Sequence, residues 1–424
     1  MSDENYRLVQ NDLSDKNRDL FLHSTIEDVV HAAELASDKD INPTIIPQGS
    51  SGSYFVRNCN QEIIGVFKPK DEEPYESQNP KWSKYFHRLC CPCCFGRECL
   101  ITNHGYLSEV GASILDEMLE LNIVPTTRLA QLTSLAFNHN PLNIMKSKTK
   151  THIAETFPDL GRKFHRLGVP PKFGSLQIFV SDYESAENCI ENLLNNILPV
   201  DSELQEEFLF EFQKLVVLDY IIRNTDRNNS NWLIKWQSRI NSQLKDDLNA
   251  GDIANGNQQG SQNNSFIKIA AIDNGLAFPY KHPDQMRIYP YYWSWLSIAS
   301  VPFCDRISLL LLPKLGDSVF VEKMIDNLNL LFKINNHFKK SVFEKQMAVL
   351  RGQITNLCAA LRQKKTPAQL VEMAPMTLEL INSTDNIVPN SERSRTNSTD
   401  ASTRKQQIYN YVTKYWKRPF FRKF

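Results

Sequence analysis

Apolar residues recur at helical spacing in two long segments of the chain. Within residues 107–121 they stand three or four positions apart, and the pattern stops at Asn122 and Pro125. A second segment with the same period covers residues 204–222. Because residues three and four positions apart share one face of an α-helix, both segments are predicted to be amphipathic helices.

Short apolar runs bounded by turn residues predict strands at residues 54–56, 63–68, 175–180, 232–236 and 266–272. The first two runs are predicted to form a hairpin, and the last two are expected to pair with each other. Between that last pair lies a segment rich in Asn, Gln, Ser and Gly, residues 237–265, which we expect to be a disordered insertion.

This order of elements predicts an α+β fold of the two-lobed, protein-kinase-like kind. A small β-rich N-lobe would hold a nucleotide, and a larger, mainly helical C-lobe would supply the chemistry. An apolar patch at residues 21–35 indicates a partial helix, but ordered structure is expected to begin near Pro47. The predicted divisions are a disordered or partly helical tail (1–42), the N-lobe (43–174), the C-lobe (175–381) and a disordered tail with a basic, aromatic end (382–424).

The composition excludes several classes of protein. The 424 residues include 48 Lys and Arg and 48 Asp and Glu, so no global field attracts nucleic acid or membranes. No apolar stretch reaches the ~18 residues of a spanning helix, and the start does not resemble a signal peptide. Nine cysteines in a chain of this length do not indicate a disulfide scaffold. We therefore expect a protein of the cytosol or of a cytosolic membrane face, without a nucleic-acid partner.

Two polar motifs carry the candidate chemistry. Asp226 and Asn231 lie five positions apart in a polar loop, and Asp273 follows an apolar run. The first Asp can accept or orient the proton of an attacking hydroxyl, while the Asn oxygen and the second carboxylate can hold the Mg²⁺ that bridges nucleotide phosphates. The alternative is an ordinary polar loop and a hairpin turn, because Asn, Asp, Ser and Gly are turn residues. Together, in this order, the motifs favour a metal-dependent phosphotransfer site.

The nucleotide is predicted to bind in the small lobe. Lys68 ends the second strand and can reach the phosphates; Lys70 is the alternative, but Pro69 makes continuation of the strand doubtful. The small residues 49–53 let backbone N–H groups approach phosphate. Residues 177–180 fit an adenine-binding hinge or simply a buried strand. The acidic partner of Lys68 is left open among four residues of the following helix: Glu109, Asp116, Glu117 and Glu120.

A cysteine cluster indicates a membrane anchor. Its four thiols, next to aromatic and basic residues, suit S-palmitoylation; they are Cys90, Cys91, Cys93 and Cys94. Zinc binding is the alternative because C-x-x-C spacing is present, although a closed site would normally recruit a second pair from a distance.

A basic and aromatic segment, residues 281–295, follows Asp273 where a kinase activation loop would lie. It suits an anionic headgroup at a bilayer surface. The candidates for this contact are Lys281, Arg287, Tyr292 and Trp293. For Trp293 and Trp295 an aromatic core is the alternative. The chain end, residues 414–424, repeats the pattern and would be either a membrane-touching or a solvated tail.

These motifs together resemble those of type II phosphatidylinositol 4-kinases. The resemblance covers residues 43–378 and rests mainly on three segments: Arg223 to Asp226, Ala271 to Pro279 and Cys90 to Arg97. It implies an enzyme that transfers the γ-phosphate of ATP, with Mg²⁺ or Mn²⁺, to the inositol 4-hydroxyl of phosphatidylinositol. The implied location is the cytosolic face of Golgi, trans-Golgi, endosomal or plasma membranes, with an anionic lipid surface as partner and anchoring by palmitoylation.

The resemblance also assigns roles by position. Lys68 would contact phosphate, Asp226 would be the catalytic acid or base, and Asn231 with Asp273 would hold metal. Further residues would line the site: Ser50, Ser51, Gly52 and Ser53 at the nucleotide, Gln177, Ile178, Phe179 and Val180 as the hinge, and Glu73, Pro74 and Tyr75 on the substrate side.

Two positions depart from the wider pattern of phosphoinositide and protein kinases. Asn228 stands where most phosphoinositide kinases have His, which removes a second proton carrier or phosphate contact. Asn274 replaces the Phe of Asp-Phe-Gly, which puts an apolar in/out switch in doubt. Two other functions remain open: a kinase of a protein or sugar hydroxyl, and a palmitoylated membrane scaffold with weak catalysis.

Overall fold

A computed structural model describes residues 24–81, 90, 97–139, 169–237, 265–283, 289–380 and 411–415. Its small lobe contains a five-stranded sheet in the order β1-β2-β3-β5-β4, in which every pairing is antiparallel. The elements of this lobe are α1 (Ser24–Ser37), β1 (Thr44–Ile45), β2 (Tyr54–Arg57), β3 (Ile63–Pro69), α2 (Gly105–Leu119), β4 (Thr127–Leu132) and β5 (Lys172–Ile178).

Successive side chains of strand β3 point alternately to the core of the small lobe and to the candidate site. Successive side chains of a strand point to opposite faces of its sheet. Phe67 is therefore fully buried in the core of the small lobe, while Lys68 faces the other way, opposite Ser175 of β5. The predicted hairpin of β2 and β3 thus delivers the lysine to the inner face of the sheet.

Helix α1 belongs to the small lobe. Its residues Ile26 and Ala33 are buried with Val56 and Leu176 of the sheet in one apolar cluster. Their spacing of seven places them on one helical face, which the sheet covers. Ordered structure therefore begins well before Pro47, contrary to our expectation. Residues 1–23 lie outside the described part.

Strand β5 also moves a predicted boundary. We divided the lobes at residues 174 and 175, but β5 continues through Ile178 and pairs with both β3 and β4. Residues 175–178 therefore belong to the small-lobe sheet, because their backbone groups complete its ladder. The connection to the large lobe starts only after that strand.

The large lobe consists mainly of helices around one extensive apolar core. A small sheet in the order β6-β7-β8 lies beside them. The elements are β6 (Glu184–Ser185), α3 (Ala186–Asn192), α4 (Ser202–Ile221), β7 (Trp232–Gln237), β8 (Phe266–Ala271), α5 (Asp305–Leu315), α6 (Ser318–Phe332), α7 (Lys340–Arg362), α8 (Pro367–Val371), β9 (Met376–Leu380) and β10 (Tyr411–Tyr415). Within the described residues, no helix is both long and apolar enough to cross a bilayer.

Three features of this lobe bear on the predictions. Strands β7 and β8 pair antiparallel, and residues 238–264 of the insertion predicted between them lie outside the described part. Strand β10 pairs with β9 in a region where we expected only a disordered tail. A composition rich in Ser, Thr and Asn upstream hid this short strand, which finds its partner 31 to 39 residues earlier in the chain.

Candidate active site

The catalytic loop follows α4 and leads into β7. Its backbone is fixed by its own side chains: the Asp226 N–H donates to Asn224 Oδ1 at 2.8 Å, and Asn231 Nδ2 donates to the Asp226 carbonyl at 2.9 Å. Such Asn-to-backbone bonds stabilise tight loops. The Asp226 side chain is left 37% exposed and opens into the cavity between the lobes.

Arg227 holds this loop from beneath. Its Nε donates to Asp219 of α4 at 2.9 Å, and its Nη1 donates to the carbonyl of Ile272 at 2.6 Å. Its Nη2 donates to the side chain of Asn274. Both Arg227 and Asp219 have fully buried side chains. The arginine therefore ties the loop before β7 to the residues that follow β8.

The hydrogen bonds of Asn274 explain why a polar residue, and not an aromatic one, follows Asp273. Its side chain bonds to Arg227 and donates to the Ala271 carbonyl at 3.2 Å. Its backbone N–H donates to Glu109 Oε2 at 2.9 Å. A phenyl ring could make none of the side-chain bonds, so polar contacts within the large lobe take the place of an apolar switch.

Lys68 joins the two lobes at the centre of the site. Its Nζ lies 2.5 Å from Glu109 Oε1 and 2.9 Å from Asp273 Oδ1. Burial acts to lower the pKa of Lys68, but the charges of Asp273 and Glu109 outweigh it and raise that pKa. Lys68 in turn lowers the pKa of Asp273, while burial raises the pKa of Glu109. The lysine and Asp273 are therefore charged near neutral pH.

Glu109 is the acidic partner that spacing alone could not choose. The other three candidates have different partners: Asp116 accepts from the Ile123 N–H at 3.1 Å, Glu117 pairs with Arg128 at 2.6 Å, and Glu120 pairs with Lys314 at 3.0 Å. Only tertiary packing distinguishes these four acids.

Glu73 holds the start of α2. Its carboxylate accepts the N–H of Tyr106 at 2.7 Å and that of Gly105 at 3.2 Å. A carboxylate at this end satisfies otherwise unpaired N–H groups and suits the helix dipole. Burial raises the pKa of Glu73 to about 7. Glu73 therefore fixes the helix that carries Glu109, and it lines the cavity together with Pro74 and Tyr75.

The loop before β2 approaches this framework closely at Gly52. A Cβ built on Gly52 would lie 2.8 Å from the Cβ of Glu72, which is closer than such atoms come in proteins. Glu72 accepts a hydrogen bond from Tyr54 at 2.6 Å and pairs with Lys172 at 2.9 Å, so it cannot move away freely. Gly52 thus packs behind the loop, while Ser50, Ser51 and Ser53 line the cavity.

The predicted hinge also lines the cavity through Gln177, Ile178, Phe179 and Val180. The backbone N–H groups of Ile178 and Phe179 already donate to Thr126 and Ile64. For the N–H of Val180, no hydrogen-bond partner occurs among the described residues.

Arg97 is a site residue that the sequence analysis did not identify. Its Nη2 donates to Asp226 Oδ1 at 2.6 Å, its Nη1 donates to the Thr225 carbonyl, and its guanidinium lies 4.4 Å from the ring centre of Tyr289. The sequence contained one indication, because Arg97 is the last residue of the segment Cys90 to Arg97, on which the resemblance to the family partly rests. The pairing with Asp226 spans 129 positions and needs the fold.

The cavity brings most of the predicted residues together. It has a volume of about 1320 Å³. Its walls include Lys68, Glu73, Pro74, Tyr75, Gln177, Ile178, Phe179, Val180, Asp226, Asn231 and Asp273, with three of the four predicted residues of the small-residue loop. The sequence motifs of both lobes thus face one space.

The structure buries one of the predicted membrane contacts and exposes another. Trp293 is fully buried, and its Nε1 donates to Asp219 at 2.9 Å, so a lipid contact for this residue is wrong. Its ring stacks on Tyr291 because the chain folds back onto α4 here. Tyr292 and Trp295 are exposed instead. Lys281 pairs with Glu98.

The remaining candidates for membrane contact lie largely beyond the described residues. Cys90 is exposed. Arg287, Cys91, Cys93 and Cys94 lie outside the described part of the chain.

Comparison with known proteins decides the family. Residues 49–357 match the family described as Phosphatidylinositol 3- and 4-kinase. The chain belongs to this family. Similar relatives are named Phosphatidylinositol 4-kinase type 2. The type 2-beta protein of Xenopus tropicalis is 49% identical over 352 residues, which cover 83% of this chain and 70% of the relative. The type 2-alpha protein of Danio rerio is 48% identical over 352 residues, covering 83% and 76%.

A search of solved structures finds a more distant likeness. The protein titled "Crystal structure of the golgi casein kinase" aligns with a TM-score of 0.37 and 12% sequence identity, over 78% of this chain and 75% of the other. The similarity is too weak to support any conclusion about function.

Family membership confirms several predictions. The resemblance to type II phosphatidylinositol 4-kinases is correct, and so is the two-lobed, kinase-like α+β fold. The prediction of an ATP-using lipid kinase that requires a divalent metal is confirmed at the level of the family. The roles of individual residues, the identity of the metal and the membrane contacts other than Trp293 stay predictions.

Proposed function

We propose that this chain is a phosphatidylinositol 4-kinase in which Asp226 receives the inositol 4-hydroxyl at a membrane surface. The observation that carries the proposal is the arrangement of one cavity. Asp226 faces it from the catalytic loop, and the Lys68–Asp273 pair, bonded at 2.9 Å, faces it from the nucleotide side. An acceptor hydroxyl and a nucleotide phosphate can therefore meet between them.

The acceptor side supplies orientation and a proton acceptor. The carboxylate of Asp226 accepts or orients the hydroxyl proton as the oxygen attacks the γ-phosphorus in line. Holding both reactants in this geometry supplies much of the rate increase in phosphoryl transfer. The bonds from Asn224 and Asn231 keep the Asp226 backbone in place during the step.

The nucleotide side supplies charge. Lys68 neutralises phosphate oxygens, and Glu109 keeps its ammonium group directed at them. The N–H of Val180 is suited to a ring nitrogen of adenine, since it needs an acceptor. The hydroxyls of Ser51 and Ser53, 3.4 Å apart, lie on the phosphate side of the same cavity.

Asn231 and Asp273 are suited to hold Mg²⁺ or, alternatively, Mn²⁺. An amide oxygen and a carboxylate are the hard oxygen donors that such ions prefer. The side chain of Asp273 is 52% exposed, and its pKa is lowered by Lys68, so it is ionised and accessible. A bound metal ion would neutralise charge on the β- and γ-phosphates of ATP.

The membrane assignment depends on exposed groups near the acceptor side. The ring centres of Tyr292 and Trp295 lie 5.1 Å apart, and the two side chains are 45% and 68% exposed. Such exposure is expected for aromatic residues at a bilayer interface. Cys90 is exposed and is the described member of the cysteine cluster. We propose palmitoylation of Cys90, Cys91, Cys93 and Cys94, and location on Golgi, endosomal or plasma membranes.

The decisive experiment offers purified protein labelled ATP with phosphatidylinositol micelles, with generic protein substrates and with soluble inositol. Labelled phosphatidylinositol 4-phosphate should form only in the first case. Asp226→Ala and Asp273→Ala should each abolish it while circular dichroism stays unchanged. Retained lipid phosphorylation in both variants would refute the assignment, and labelling of protein or free inositol alone would transfer the activity to another acceptor.

The anchor is tested separately. Replacing the four clustered cysteines by Ser should release the protein from membranes without changing its activity on micelles. Unchanged membrane retention would count against palmitoylation.

A further inference from the structure

The catalytic loop lacks a cation of its own at Asp226. Asn228 uses its Oδ1 to accept the N–H and the hydroxyl of Ser230 at 2.9 and 2.6 Å. That side chain caps a turn and brings no charge. Arg227 is turned inward and is bonded to Asp219. Lys68 lines the same cavity but is paired with Asp273.

Arg97 brings a positive charge to this place from a remote part of the chain. Among the described residues, it is the cation that contacts the Asp226 carboxylate, with Nη2 at 2.6 Å from Oδ1. Its side chain is 22% exposed and lines the same cavity as Asp226 and Asp273. A guanidinium has five N–H donors in a rigid fork, so it can bond to this carboxylate and to a phosphoryl oxygen beside it.

The position of Arg97 does not depend on Asp226 alone. The Tyr280 N–H donates to the Cys99 carbonyl at 3.0 Å, and the Tyr280 hydroxyl donates to the Glu98 carbonyl at 2.6 Å. The Tyr289 ring lies against the guanidinium. These contacts place the arginine before any substrate arrives, which is the condition for effective electrostatic stabilisation of a transition state.

We propose that Arg97 is a further catalytic residue, which contacts the transferring phosphoryl group beside Asp226. This inference rests on the proposed function. As the acceptor oxygen bonds to the γ-phosphorus, the bond from phosphorus to the ADP oxygen breaks, and the acceptor proton passes to Asp226. Arg97 stays protonated throughout and neutralises charge on the phosphoryl oxygens. It thereby supplies beside Asp226 a positive charge that the side chain of Asn228 does not carry.

The test compares Arg97→Gln with Arg306→Gln. Arg306 is a matched control outside the cavity, because it also pairs with a carboxylate, Glu207 at 2.7 Å, and lies over an aromatic ring, Phe210 at 3.7 Å. The change at Arg97 should lower kcat about 100-fold while the KM for ATP changes less than about threefold. The control should keep kcat within about twofold of wild type.

A second readout isolates the transition state. Affinity for ADP with magnesium and aluminium fluoride, a mimic of the transferring phosphoryl group, should fall in Arg97→Gln, whereas affinity for ADP alone should not. Arg97→Lys keeps the charge without the fork and should lose about tenfold in kcat. If Arg97→Gln does not fold, Arg97→Lys decides, and a wild-type kcat in that variant would overturn the proposal.

An unchanged or increased kcat in Arg97→Gln would overturn the proposal, and an increase would mean that the arginine blocks the site at rest. A raised KM for phosphatidylinositol with unchanged kcat would reduce Arg97 to an acceptor-binding residue. Because the aluminium fluoride measurement needs no lipid, it tests Arg97 even if wild-type protein fails to phosphorylate phosphatidylinositol.

Discussion

Asp226 and Arg227 are neighbours in the chain but belong to opposite regions of the catalytic loop. The upper face of the loop opens into the cavity, where the Asp226 side chain is 37% exposed and paired with Arg97. The lower face is sealed, and Arg227 and Asp219 form a fully buried pair there. Charged residues on the first face can exchange partners during a reaction. Those on the second face can only hold the loop.

The acids near the two faces differ in the same way. Asp219 accepts bonds from Arg227 and from the Trp293 indole, so its charge is satisfied within the protein. Asp273 meets Lys68 but stays 52% exposed, so it can also bind a ligand. Exposure therefore separates the residues that react from those that support them.

The largest expected effect is the loss of stability when the buried ion pair on the lower face is broken. Asp219→Asn leaves the charge of Arg227 buried without its carboxylate, which should lower the free energy of unfolding by about 3–5 kcal/mol. Asp226→Asn is the matched change on the upper face, and it should alter that free energy by less than about 0.5 kcal/mol while abolishing lipid phosphorylation. Urea unfolding of both variants checks this. Equal stability of the two variants would remove the distinction between the faces.

The next effect concerns the nucleotide side. Lys68→Met removes the charge opposite the phosphates and should lower kcat about 100- to 1,000-fold. Lys70→Met is the control, because Lys70 is not among the residues that line the cavity, and its ammonium lies 5.4 Å from the ring centre of Tyr106. Its kcat should stay within about threefold of wild type. Steady-state kinetics decide, and a comparable loss in both variants would show that the wrong lysine was chosen.

The sequence predicted those parts of the site that depend on local pattern. Helical periodicity marked α2 and α4, and alternation in β3 separated Lys68 from Phe67. The spacing of Asp226 and Asn231 marked the loop because one short turn brings both to the same cavity. These features are decided within about twenty residues of chain, so the pattern is sufficient.

What the sequence missed depends on contacts between distant segments. Glu109 could not be separated from three other acids, since all lie on one helix or at its end and only packing decides which of them meets Lys68. Arg97 reaches Asp226 across 129 positions. Trp293 and Trp295 have the same side chain two positions apart, and only the fold against α4 buries one and exposes the other.

A smaller effect tests how the small lobe holds its helix. Because burial raises the pKa of Glu73 from 4.5 to about 7, the folded state keeps a proton that the unfolded chain has already lost. Its contribution to stability is therefore fully present below pH 4.5 and is lost as the pH rises through 7. Relative to Glu73→Gln, wild-type protein should lose about 3 kcal/mol of unfolding free energy between pH 4 and 8. A constant difference over that range would contradict the assignment.

The smallest effect separates the two aromatic environments beside the loop. Trp295→Ala should leave the unfolding free energy within about 0.5 kcal/mol of wild type, since the side chain is 68% exposed, but should weaken binding to vesicles that contain phosphatidylinositol by up to about tenfold. Leu309→Ala is the control, because Leu309 is also apolar and 76% exposed but lies on α5. Vesicle sedimentation measures both. If both variants lost the same affinity for vesicles, exposed apolar area alone would set that affinity, and the position of Trp295 beside Tyr292 would not matter.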